Sequence, residues 1–532
     1  MSRASSETHV SVPAPKVVCV FLAQFDIKLG YKLVWTNYPT PQDLAGIDAR
    51  ALPSGIHEHS LTTVYLTHEL QGQLHYGFAR FRQLDLNPDM PDSSGSLDRL
   101  LVKMYSLGVL VEPLKGKFWP PHQYLSLGWE YGPAVDAALI DFLNTEDLSL
   151  LDRLAGSLNV ESLHVPAPKS APVYRHHPLS KLPAVLSLVG PLLFSLYKAA
   201  ILRKRILILG SSSQPHAPLT SCTRTRDPST AGELAYVLSL VSVVPKDVNM
   251  DSLGATTLKS SRPIYTVGLY DLESDFLSKF PAYIAYSGDE ILKLQTQIYD
   301  VVLQLPADDC SSCKMTTSTD PDVLIKSTYN DYSKFLKLYQ RLPQLSVGAS
   351  ASDDLASIKT SSSILSALGL AHFVEGKEKL ACEPQWWLAD ATSPISWREY
   401  VWLAFAWFAS AGATTREAEI INLVDERTEE DVPDLLVRLT SIVGQFHRLT
   451  RKWFYVIDEI VSEMVEYAQM DAQGHFTQGE FVLELTLQDV VDMELDPYSL
   501  QDLEFIKQFA LMYWGETISD VEIGLGVNGL CC

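Results

Sequence analysis

The chain of 532 residues carries 42 Lys and Arg against 64 Asp and Glu, a net charge of −22. That is the wrong sign for a surface that must neutralise phosphates, so no nucleic-acid partner is expected. An apolar share of 46% can fill the cores of roughly three domains of about 150 residues each. Seven scattered cysteines are too few for a disulfide framework, and "MSRASSETHVSVPAPK" lacks the apolar stretch of a secretory signal. A reducing, cytoplasmic setting is therefore expected.

Beyond a disordered tail at 1–16, residues 17–84 are dense in strand signals. "VVCVFLAQF" is followed by "YKLVWTNY" after a turn at Gly30, then by "LTTVYLTHEL" and, after Gly72, by "QLHYGFARFRQL". In the last, Leu74, Tyr76 and Phe78 alternate with His75, Gly77 and Ala79, which predicts a meander. The turn formers of "NPDMPDSSGS" lead to another strand, "MYSLGVLVEP". A helix follows, with Val135, Ala138, Leu139, Phe142 and Leu143 on one face. The proline-rich "VPAPKSAPVYRHHPLSKLP" predicts a connection between domains.

"PAVLSLVGPLLFSLYKAAILRKRILILGSSS", from Pro183 to Ser213, raises the question of a membrane span, because its apolar run is long enough for one and ends in Arg203, Lys204 and Arg205. Lys198 lies inside the run, and Pro183, Gly190 and Pro191 interrupt it. An all-round apolar helix feeding a short buried strand is the competing reading. A polar loop from Ser211 to Thr230, the helix "AGELAYVLSLVSVV" and the strands "PIYTVGLYDL", "AYIAYSG" and "YDVVLQLP" come next. "ADDCSSCKMTTSTDPD" and "VGASASDDLASIKTSSS" read as mobile surface loops. "YVWLAFAWFASAGA" from Tyr400 reads as a core helix. The C-terminal third reads as helical, "DLLVRLTSIVGQFHRL" first and then a helix with Trp453, Val456, Ile457, Ile460 and Met464 on one face. "SDVEIGLGVNGL" reads as a last strand.

The chemical motifs are sparse. "GSSSQPHAP" after a buried strand could form an anion nest, but it lacks the lysine and Ser/Thr of a P-loop and is better read as a solvated loop. Cys310 and Cys313 form a lone CxxC without the second pair that zinc requires. His57 and His59, with only a distant His68 for company, read as surface or turn histidines and not as metal ligands, and so does the pair His176 and His177. Asp353 with Asp354 and Glu429 with Glu430 read as solvated acidic faces. No nucleophile elbow, metalloprotease helix or kinase signature occurs, so no catalytic, cofactor-binding or metal-binding residue is assigned and no cofactor is expected. A chain of this size without such motifs points to a protein that acts by binding.

"VVCVFLAQFDIKLGYKLVWTNYP", "DLAGIDARALPSGIHEH" and "VYLTHELQGQLHYGFARF" resemble the longin-like upstream part of DENN proteins, most closely the LCHN branch. "LYKAAILRKRILILGSSS", "RPIYTVGLYDLES" and "IYDVVLQLP" are similar to the heart of the central DENN domain, and "MELDPYSLQDLEFIKQF" with the closing "CC" also looks LCHN-like. The resemblance is weak between about 346 and 480, where a divergent, fungal-like member is indicated. It implies an α/β and α+β protein: a longin-like domain over 17–160, a linker over 161–182, a central α/β DENN domain over 183–345, a Ser-rich linker over 346–390 and a mainly helical region over 391–532. In such proteins the apolar helix packs on the central sheet, with Leu202 and Ile206 to Leu209 in the core and Arg203, Lys204 and Arg205 at the helix C-terminus.

DENN proteins are exchange factors for Rab GTPases, so the resemblance implies a Rab-family partner, no transmembrane span and peripheral visits to endomembranes through that GTPase. A scaffold that has lost exchange is the alternative. Lipid addition at Cys531 and Cys532 is a third reading, opposed by the absence of basic residues just before them. The GTPase, its contact residues and the oligomeric state are not legible.

Overall fold

The computed structural model describes residues 12–13, 15–85, 102–113, 124–158, 164–165, 177–210, 227–245, 247–248, 260–274, 276–306, 312–340, 342, 384–401, 435–471 and 481–524. Val12–Pro13 (β1) makes a short antiparallel pair with His164–Val165 (β7). The N-terminal strands are Val17–Asp26 (β2), Gly30–Thr36 (β3), Leu61–Leu70 (β4), Gln73–Asp85 (β5) and Val102–Val111 (β6). Further on come Ile206–Leu209 (β8), Arg262–Thr266 (β9), Tyr283–Ser287 (β10), Val301–Gln304 (β11) and Lys314–Thr317 (β12).

Apart from β1 and β7, all of these strands join one ten-stranded sheet in the order β12-β11-β8-β10-β9-β4-β5-β6-β2-β3. The meander β4-β5-β6-β2-β3 is antiparallel, and β11, β8, β10 and β9 run parallel. The two faces explain the apolar runs. In β8, Ile206 and Ile208 face one core and Leu207 and Leu209 the other; in β2, Val20 and Leu22 oppose Cys19, Phe21 and Ala23. Both faces being covered, the alternation read in "QLHYGFARFRQL" is between two cores: Tyr76 and Phe78 fill the thick layer, Ala79 and Phe81 the thin one. Gly108 sits opposite Phe21, and a Cβ there would lie 2.3 Å from Phe21 Cζ, so only glycine admits that ring.

The thick layer contains Gly132–Thr145 (α2), Ser149–Leu158 (α3), Leu182–Val189 (α4), Leu192–Ile201 (α5), Pro228–Val241 (α6) and Tyr329–Gln340 (α8). Ile47–Ala51 (α1) and Leu269–Glu273 (α7), with short turns, cover the opposite face. The helix α6, buried on every side, starts on an Asp227 side-chain cap and packs on β4, β9 and β10 beneath α4 and α5.

The apolar run from Pro183 is two helices. Gly190, at φ +59°, and Pro191 turn the chain by 115° between α4 and α5, and a Cβ on Gly190 would lie 2.6 Å from Trp387. No single helix among the described residues is long and apolar enough to cross a membrane. Both halves of the bent pair are packed in the core, and α5 feeds β8 as the buried-helix reading expects.

The helical layer is completed by Gln385–Ala389 (α9), Leu435–Asp471 (α10), Leu487–Asp492 (α11) and Leu500–Trp514 (α12). Phe481–Thr486 (β13) and Ile518–Gly524 (β14) form a parallel pair, which accounts for the predicted last strand. Two expectations are corrected. The C-terminal helices predicted as separate are one helix of 37 residues: across the expected break Arg448 and Lys452 pair outward with Glu494 while Leu449 and Thr450 stay buried, so the amphipathic pattern continues without interruption. The segment read as a loop around Cys313 contains β12, whose Met315 is buried. Residues 87–96, 347–363 and 402–412, Cys310, His176, Asp353, Asp354, Glu429, Glu430, Cys531 and Cys532 lie outside the described residues.

Candidate functional site

The antiparallel and parallel halves of the sheet meet at β4 and β9, where the pairing register holds a single pair, Leu66 with Tyr265. Threonine hydroxyls extend it: Thr67 Oγ1 donates to the Ile264 carbonyl at 2.9 Å and Thr266 Oγ1 to the Tyr65 carbonyl at 2.9 Å. Tyr265 takes φ +55°, and the β9–β10 register shifts beside it. Side-chain bonds thus replace a ladder that the irregular strand cannot continue.

Above this seam the C-terminal ends of β9 and β10 open into α7 and a turn at Glu290–Leu294. Helix α1 reaches in from the N-terminal half. Arg50 Nε donates to Asp271 Oδ1 at 2.8 Å and its NH2 to the same oxygen at 2.5 Å, with side chains only 5% and 1% exposed. Its guanidinium lies 4.1 Å from the Phe276 ring centroid. Its NH1 is 3.2 Å from His68 Nδ1, so His68 accepts there and donates from Nε2 to the Asp43 carbonyl at 2.7 Å. Asp271 Oδ2 accepts from Gly268 N at 2.9 Å, which caps α7.

Glycines bring the two halves close. A Cβ on Gly46 would lie 2.1 Å from the Tyr270 ring, and one on Gly288 2.6 Å from Ser54 Cβ. Tyr31, on the β2–β3 hairpin, is only partly covered, and that partial burial and then the carboxylate of Asp289 raise its hydroxyl pKa. Large apolar side chains nevertheless face solvent here: Tyr31 44%, Leu269 49%, Tyr270 39%, Ile291 52% and Leu294 76% exposed. Glu273, Asp289 and Glu290 are acidic residues of the same segments. An exposed apolar surface drawn from both halves of a sheet, at the carboxyl ends of parallel strands, has the character of a binding site.

A second polar cluster is fully internal. Lys198 of α5 bonds Asp331 of α8 and, at 2.6 Å, Asp502 of α12. Burial alone would lower the Lys198 pKa, but the two carboxylates raise it, while burial raises that of Asp502. Around it Tyr197 OH donates to the Phe446 carbonyl at 2.8 Å, Tyr513 OH to the Ile201 carbonyl at 2.9 Å, and the Trp453 ring packs tilted against Tyr197 and edge-on against Phe505, at 5.2 and 4.8 Å between centroids. These contacts bind the C-terminal helices to α5, the helix that feeds β8 of the central sheet.

The residues singled out in the sequence do not converge. Arg203 donates to the Ala200 carbonyl at the end of α5, as predicted for a helix cap. Arg205 instead forks onto Asp300 at 2.7 Å, next to β11. Cys313 is buried, donating to the Leu188 carbonyl at 3.3 Å, and burial pushes its thiol pKa up to about 12. His177 is not a surface residue. His177 is buried against Trp129 and accepts from Leu179 N at 3.0 Å, and burial lowers the His68 pKa. No group of three metal-ligating side chains occurs among the described residues. The residues that sequence reasoning missed are Arg50 and Asp271, 221 positions apart. Their only local signals are a charge in a short apolar helix and the Gly-x-x-Asp cap of α7.

The family model of DENN domain-containing protein 11 matches residues 20–314, and a domain of unknown function (DUF4484) matches 392–530. The uncharacterized protein ANR2 of Saccharomyces cerevisiae is 23% identical over 547 residues, covering 97% of this chain and 95% of its own. The first match contains both halves of the sheet and the seam between them, and spans more than half of the 532 residues. The chain therefore belongs to the DENN domain-containing protein 11 family.

Proposed function

We propose that this protein is a guanine-nucleotide exchange factor for a Rab-type small GTPase in vesicle trafficking, and that the GTPase docks on the seam surface. Family membership supports the partner class. The observation that carries the site is the exposed apolar set Tyr31, Leu269, Tyr270, Ile291 and Leu294, contributed by both halves of the sheet. Under this reading 17–160 is a longin-like unit of the LCHN type, 183–345 the central DENN unit and 391–532 the downstream unit of a fungal-like member. The protein visits endomembranes through its partner.

Exchange needs no nucleophile. The factor acts by binding the emptied GTPase more tightly than the loaded one. Each 1.4 kcal/mol or so of that preference weakens GDP about tenfold, and abundant GTP then refills the site. Apolar contacts give affinity and an acidic rim selects a partner face of opposite charge.

The test is retention of purified Rab proteins by this chain in nucleotide-free and GDP-loaded forms. Preferential retention of one or two empty Rabs is expected. Equal retention of both forms would favour the scaffold reading, and no retention of any Rab would overturn the proposal.

A further inference from the structure

The seam surface is assembled from chain segments more than 200 residues apart, and the question is what holds them as one epitope. The β4–β9 pairing is too short to do so alone, since it has one residue pair and two hydroxyl bonds. Arg50 connects the rest. Through Asp271 Oδ1 it ties α1 to α7; the other oxygen of that carboxylate holds Gly268 N, the first amide of the turn that presents Leu269 and Tyr270. The guanidinium also covers Phe276, just beyond α7, and its NH1 is fixed by His68 Nδ1 and lies 3.4 Å from the Thr67 carbonyl on β4. Each of these partners is on one side of the seam or the other. Directly above, the Tyr270 ring rests on Gly46, the residue before α1.

We propose that Arg50 is a positioning residue: the buried Arg50–Asp271 pair sets the placement of α7 against α1 and so presents Leu269 and Tyr270 in register with the apolar residues of the hairpin and the Glu290–Leu294 turn. The partner then meets a preformed surface and does not have to order α7 on binding. The inference rests on the proposed GTPase reading for its functional consequence, but its structural half stands independently.

Removing one member alone leaves a buried charge and risks unfolding, so the informative variant replaces both, R50M/D271L. Exchanging a buried ion pair for apolar residues is commonly neutral for stability, while it removes the directional cap on Gly268. The first readout is hydrogen exchange of the 269–274 amides, expected to be about tenfold faster with the global unfolding midpoint unchanged. The second is affinity for the nucleotide-free Rab that binds the native chain, expected to fall about tenfold through faster dissociation. R50M/D271N, which retains an acceptor for Gly268 N, is expected to recover part of both. Unchanged exchange in 269–274 would overturn the clamp, as would faster exchange with undiminished affinity. If no Rab binds the native chain, the GTPase reading fails and the exchange result alone decides the clamp.

Discussion

Replacing Lys198 by Met tests whether the C-terminal helices are part of the core. The ammonium is only 10% exposed and is shared by Asp331 and Asp502, whose side chains are 2% and 0% exposed. Without it, two carboxylates remain buried beside each other, offset only in part by the Lys334 ammonium 4.0 Å from Asp331. Like charges about 4 Å apart repel by about 4 kcal/mol at an effective dielectric constant of about 20, and breaking a buried pair typically costs about 3–5 kcal/mol. K198M should therefore lose about 3–5 kcal/mol in urea unfolding followed by tryptophan fluorescence, with Trp453 beside the cluster as a reporter. The loss should be larger at pH 8 than at pH 5, because one carboxylate takes up a proton as the pH falls. K198M/D331N/D502N, which removes the charges and keeps acceptors, should recover at least half of it. A loss under about 1 kcal/mol, equal at both pH values, would show that the ammonium is hydrated and the reasoning wrong.

Two further substitutions probe buried groups the fold tolerates at a cost. Glu233 is 7% exposed in the middle of the helical layer, and burial raises its carboxyl to about 8 despite Lys181 and Arg80. A raised acid stabilises fully below its unfolded value near 4.5, and that stabilisation is lost as pH rises through about 8. E233Q should thus match the native chain near pH 4 and exceed it by about 3–5 kcal/mol at pH 9, measured as the pH dependence of the unfolding midpoint; parallel curves would refute this. The Tyr265 hydroxyl is buried with no hydrogen-bond partner among the described residues. Y265F should therefore raise stability by about 1 kcal/mol in the same assay, and a loss of that size would reveal a bond to the hydroxyl.

The strands were legible where chemistry and periodicity agreed. β2, β4, β8 and β10 are runs of β-branched, aromatic and aliphatic residues, and sheets covered on both faces demand such runs. The helix-into-strand step at α5 and β8 was legible from Lys198 and the terminal basic residues, yet the sharp bend was not: Gly190 and Pro191 marked an interruption without giving its angle. β12 was hidden because Lys-Met-Thr-Thr lies in a serine- and aspartate-rich stretch, and Met315 is the one apolar side chain this edge strand buries, beside the polar Thr316. His177 was misread because a proline-rich surrounding suggests solvent, whereas its ring fills a gap between Trp129 and Tyr236. The seam could not be read at all. Its exposed residues come from three stretches, and no local pattern distinguishes an exposed Leu294 from the buried Leu292 two positions away.

The central claim is that the seam surface accelerates nucleotide release, and the direct measurement is the rate of fluorescent GDP release from a panel of purified Rab proteins with micromolar chain. The native protein should accelerate release from one or two Rabs. I291S/L294S, altering side chains 52% and 76% exposed, should fold with an unchanged midpoint and lose most of that acceleration. Acceleration that survives in I291S/L294S would place the GTPase elsewhere, and no acceleration of any Rab by the native chain would contradict exchange activity itself.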